Sequence, residues 1–184
     1  MGFATTPEDV LGFWFHPATK PKWFNGGADF DAEVRTVVGP ALEAAARGDL
    51  AAWEGDREGA LALVLLFDQV PRNIFRGTAR AFAYDAEARR IARIVLERGW
   101  DQELPVERRA FLYLPFEHSE NLADQELSVR LFRERTEDPE YVKYAEAHLD
   151  VIRRFGRFPH RNAALGRDST EAEKAYLAQP GAGF

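Results

Sequence analysis

The sequence contains no cysteine. Disulfides, thiolate catalysis, iron–sulfur clusters and cysteine-ligated zinc are therefore excluded, which leaves His, Asp and Glu as the usable metal ligands. Strand-like alternation is missing, and no run of about eighteen apolar residues occurs, so neither a sheet nor a membrane-spanning helix is expected. The start Met1-Gly2-Phe3-Ala4 has no positive region and no small-residue cleavage site, which makes the cytoplasm the expected location. Lysine is scarce, four against twenty arginines. Genome composition explains such a skew, so arginine content alone carries no functional weight. The net charge of -6 argues against general nucleic-acid binding, although a local basic patch can still hold one phosphate group.

What is present is apolar enough to fold: 46% hydrophobic residues in a chain of 184 predict one all-helical domain over 1–184, loose from about residue 180. Thr6-Pro7-Glu8-Asp9 reads as a helix start, and Thr170-Glu171-Ala172-Glu173 as a capping box. The run Ala60–Phe67 is apolar on every side, as a central helix should be, and ends in the polar stretch Asp68-Gln69-Val70-Pro71-Arg72-Asn73. A carboxylate at a helix C-terminus opposes the macrodipole, so Asp68 needs a cation, with Arg72, Arg76 or later arginines as candidates. A helix from Pro105 through Leu112 is expected to be redirected at Leu114-Pro115.

A helix from about Ser119 to Arg135 puts His118, Leu122, Gln125, Val129 and Phe132 on one stripe. The next helix aligns Tyr141, Tyr144, His148 and Phe155, so His118, Gln125 and His148 point inward. The short link between these helices implies an antiparallel pair, in which Gln125 is within reach of His148 and His118 lies beside Arg157. Counted at 1.5 Å per residue, His118 and His148 then stand roughly 14 Å apart, so a two-histidine metal site would have to pair His118 with His160. The spacings of known metal motifs are absent, and neither a metal nor a cofactor is expected.

From Val151 to Arg167 the chain holds five arginines and one histidine with no acid. Gly156 and Pro159 break any helix entering this cationic island, so its arginines fan out on an irregular segment. Arg72, Arg76, Arg154, Arg157 and Arg161 outnumber the nearby acids Asp68, Glu117, Glu120 and Asp124. The surplus would face a cleft as paired donors for a carboxylate or phosphate. The competing reading is that the arginines staple helix ends together.

Five stretches resemble a widespread bacterial family, DUF924: Val10–Phe15, Leu66–Thr78, Phe111–Glu120, Arg154–Asn162 and Leu165–Thr170. Phe67 and Val70 depart from its pattern, which more often has Leu and Phe there. The resemblance implies an all-α fold of stacked antiparallel helix pairs, a tetratricopeptide-repeat-like superhelix, without any 34-residue repeat in this sequence. It implies no activity. Its motif residues fall on Asp68, Gln69, Arg72, Asn73, Arg76, His118, Glu120, Gln125, His148, Arg157, His160, Arg161 and Asn162.

The leading expectation is a pocket for a small anionic ligand or an acidic peptide end, lined by Asp68, Gln69, Arg72, Asn73, Arg76, Glu120, Arg154, Arg157, Arg161 and Asn162. His118 and His160 would be its acid–base groups if it is an enzyme. The alternative is a scaffold that binds a protein partner, with the polar cluster as internal bracing.

Overall fold

The computed structural model describes residues 4–183; Met1–Phe3, read above for a leader, and Phe184 lie outside them. Among the described residues the fold is all-α. Its eight helices are α1 (Pro7–Trp14), α2 (Gly27–Ala46), α3 (Arg57–Ile74), α4 (Asp85–Glu97), α5 (Val106–Glu117), α6 (Leu122–Arg135), α7 (Pro139–Phe155) and α8 (Glu171–Leu177), joined by turns and short 3-10 segments. None is long and apolar enough to cross a membrane. The described residues fall into two compact units, 4–76 with 80–115, and 77–79 with 116–183.

In the first unit α3 is buried without a break from Gly59 to Pro71, and α1, α2 and α4 pack around it. Its all-round apolar sequence leaves no face for water, which puts it at the centre. Gly59 lets α3 start there: a Cβ would stand 2.2 Å from the Trp53 carbonyl oxygen, so only a residue without a side chain fits. An aromatic seam pins α1. Trp14, Phe15 and Trp23 each meet the Phe111 ring nearly edge-on, with centroids 5.9, 5.4 and 4.7 Å away, and the Trp23 indole donates to the Trp14 carbonyl at 2.8 Å.

Two helices run on past the ends expected for them, Phe67 and Leu112. α3 continues through Pro71 to Ile74, and α5 through Pro115 to Glu117. In α3 the lost backbone bond is outweighed by burial of Val70, Asn73 and Ile74, and the Asp68 carboxylate therefore lies inside a helical turn.

In the second unit α6 and α7 form the expected antiparallel pair. Phe132 stacks on Tyr141 across the link at 5.4 Å, and Asp138 caps α7 by accepting from the Glu140 N–H at 2.9 Å. Gly156, at φ 69°, ends α7 in the left-handed conformation that glycine adopts without steric cost. The chain then passes through the turn Pro159–Arg161 to α8, where Tyr176 closes a small core with Val151, Ile152 and Phe158. Ala182 packs against the same core. Both expected caps form: Thr6 with Asp9 and Thr170 with Glu173 are reciprocal capping boxes.

Candidate functional site

The polar residues at the end of α3 find their partners within the first unit. Asp68 is fully buried, accepts from the Gln69 amide at 2.6 Å and lies 3.3 Å from the Arg72 guanidinium. The same guanidinium forks onto Asp85 at 2.8 and 3.0 Å. Burial works against the charge of Arg72, yet Asp68 and then Asp85 outweigh it and raise its pKa above the ordinary value. The cation sought for Asp68 is therefore Arg72, one turn along its own helix. Asp31 holds Arg76 through two bonds of 2.8 Å and accepts from the Asn73 amide at 2.9 Å. The Arg76 bonds, and then the Asn73 bond, outweigh burial and lower the Asp31 pKa.

In the second unit two more acids take up two of the island's five arginines. Arg157 forks onto Glu173 at 2.7 and 2.8 Å and also donates to the Asp168 carbonyl. The Arg157 bonds, with the Thr170 N–H, pull the Glu173 pKa down to about 2. Glu120 receives Arg167 at 2.8 and 2.9 Å and the Phe158 N–H at 2.8 Å. Burial would raise its pKa, but those bonds prevail and it lies below the usual carboxylate range. Asn162 joins the two clamps, accepting from Arg167 at 2.9 Å and donating to Ser169 at 3.0 Å. Arg153 and Arg154, in the last turn of α7, lie 3.4 Å from Glu126 and Asp150, and Arg154 also covers Phe155.

The expected surplus of arginines is thus not what forms. Asp31, Asp85 and Glu173 were left out of the balance because nothing in the local sequence ties them to an arginine, whereas Asp150 had a local signal, its i,i+4 spacing from Arg154. Glu173 carried one signal, its capping box, which disclosed the helix start and not the ion pair. Arg167 was counted in the island but not as a site residue.

The remaining candidates gather around the fully buried Phe158 ring. His148 meets it edge-on at 5.6 Å, His160 is tilted at 5.5 Å, and the Arg161 guanidinium lies 4.6 Å over its centroid. The His118 ring is 6.3 Å from that of His148. The 14 Å separation expected from helical counting fails because α6 starts at Leu122: His118 sits in the turn before it and folds back toward α7. Gln125 is also used differently. It is buried as expected, but its amide donates to the carbonyls of Glu117 and Ser119 and so braces that turn.

His148 Nδ1 lies 2.8 Å from the Tyr144 carbonyl and 3.3 Å from Glu117 Oε1. Burial first, then the charge of His118, with His160 and Arg161 adding, pushes its pKa down to about 3 against the opposing Tyr144 bond. At neutral pH it is an uncharged imidazole. Its proton is on Nδ1, facing the carbonyl, which leaves Nε2 as an acceptor. Arg161 donates through Nη2 to the His118 carbonyl at 2.8 Å, which fixes the turn carrying the second imidazole. Among the described residues no group of three or more His, Asp or Glu side chains is arranged to hold a metal ion.

A family model described as bacterial protein of unknown function, DUF924, matches residues 10–181. A solved structure of a protein of unknown function from Agrobacterium tumefaciens is similar at a TM-score of 0.88 and 42% identity, covering 94% of this chain and 96% of that one. No curated protein matches the chain significantly.

Proposed function

We propose that this chain, which belongs to the bacterial DUF924 family, binds a small anion or the acidic end of a peptide at the imidazole–arginine cluster around Phe158. The observation that carries this reading is the convergence of basic side chains on one ring: His148, His160 and the Arg161 guanidinium each lie against Phe158, and His118 stands 6.3 Å from His148. Arg161, whose Nη2 is held by the His118 carbonyl, brings the fixed positive charge that suits a carboxylate or phosphate, and the half-buried His118 and His160 are the groups able to pass a proton to or from a bound ligand. Asp68, Gln69, Arg72, Asn73, Arg76, Glu120, Arg157 and Asn162 serve in this reading as the braces that hold the helix ends. The adjacent helices of each unit, α2 with α3 and α6 with α7, support a tetratricopeptide-like stacking as the frame.

The scaffold reading has one observation in its favour. A groove of about 500 Å³ runs between α6 and α7 over Val129 and Leu149, edged by Arg130, Arg133, Glu126 and Glu146, which suits a charged helix of a protein partner.

Thermal unfolding with inorganic phosphate separates the two. At a hundred times its dissociation constant, phosphate should add about 2.7 kcal/mol, a rise in Tm on the order of 5–10 °C for a chain of this size. The rise should disappear in His160→Gln. An unchanged Tm with phosphate and with small carboxylates would overturn the anion site and leave the α6–α7 groove as the functional surface.

A further inference from the structure

The chain after α8 does not run free past the cluster. Ala182 packs against the small core that contains Phe158, and its N–H donates to the Gln179 carbonyl at 3.2 Å. Gly183 follows at φ 98°, where L side chains are strained, and a Cβ on it would stand 3.0 Å from His160 Cβ, 3.4 Å from Cγ and 3.8 Å from Nδ1. The segment therefore lies on the Nδ1 side of that imidazole. His160 Nδ1 is shielded from solvent although the residue as a whole is half-buried. A side chain at 183 would be strained by its φ and would press on His160, and Gly181 is also in the left-handed region, at φ 77°.

We infer that Gly181–Gly183 is a strap that closes the imidazole cluster, and that ligand reaches His160 when the strap lifts. What it admits rests on the anion-site reading above; the closure stands on the contacts of Ala182 and Gly183. One methyl group and one turn hydrogen bond are a light fastening, so the strap can open without unfolding α8. It shields an imidazole nitrogen from water and from acylating or oxidising reagents until a ligand competes for the same space.

The test is carbethoxylation of the whole protein by diethyl pyrocarbonate, followed by peptide mapping of each histidine. The exposed His16, in the other unit, is the internal reference. His160 should react more slowly than His16 in the wild type. In Gly183→Val, where the added side chain collides with His160, and in Ala182→Asp, which puts a charge into the small core, His160 should react several-fold faster with His16 unchanged. Equal His160 rates in all three proteins would overturn the strap, whatever phosphate does to Tm. A wild-type Tm that phosphate leaves unmoved would overturn the anion site instead, whatever the His160 rates are.

Discussion

Arg72→Ala should lower the unfolding free energy by about 3–5 kcal/mol, the usual loss when one member of a buried charge network is removed. The guanidinium serves two carboxylates at once, the fully buried Asp68 on its own helix and the buried Asp85 at the start of α4. Removing it leaves both acids short of the cation that offsets their desolvation, in the most buried part of the first unit. Arg72→Met keeps much of the aliphatic stem and gives up the guanidinium, whose Cζ lies 5.7 Å over the Phe82 ring, so it should lose nearly as much, because the missing quantity is charge and not volume. Urea titration measures both, as a fall in midpoint with an unchanged slope. A loss under about 1 kcal/mol would put Arg72 in the class of exposed pairs such as Arg76 with Asp31, where the Arg76 side chain is 61% exposed.

Acidification from pH 7 to 4.5 should destabilise the protein through His148. In the unfolded chain this imidazole takes a proton at its ordinary pKa of 6.5, and in the folded chain only near 3. The unfolded state therefore binds the proton first as pH falls. Stability is complete above pH 6.5 and drops by up to about 1.4 kcal/mol per pH unit below it, on the order of 4 kcal/mol by pH 3. The groups facing the ring are Glu117, His118, His160 and Arg161, together with the Tyr144 carbonyl. The depressed carboxylates Asp31, Glu120 and Glu173 act in the same direction but lower on the scale: what they contribute is present above their ordinary values of 3.8 to 4.5 and is lost below them. The window from pH 6.5 to 4.5 thus belongs to His148. His148→Gln should flatten it in urea midpoints measured across that range. An equal slope in the variant would mean that the buried imidazole is already charged in the native state.

The features legible in the sequence are those whose cause is local. Thr6 and Thr170 declare helix starts because a cap needs only the next three residues, and the all-round apolar α3 declares its central place because no face of it tolerates water. The inward turn of Gln125 and His148 follows from helical spacing alone. The rest depends on partners far along the chain. Arg76 meets Asp31 across 45 residues and Arg167 meets Glu120 across 47, separations at which charge counting within a segment has no force. The cationic island looked like a surplus because, Asp150 apart, its neutralising acids came from other elements. The core helix is expected to end at Phe67 because the polar run from Asp68 is visible in the sequence while the partners that let it stay buried and helical are not. His118 was misplaced for a related reason: three residues' difference in where α6 begins moves it off the helix altogether.

Glu173 has two employers. Its carboxylate completes the cap of α8 by accepting from the Thr170 N–H at 2.8 Å, and the same group receives Arg157 and, at 3.4 Å, Asn162. A helix of seven residues does not persist alone in water. α8 therefore cannot form ahead of the Arg157–Asn162 turn, nor can that turn settle without α8; the two rise and melt together as one cooperative block, and local breathing at either end is felt at the other.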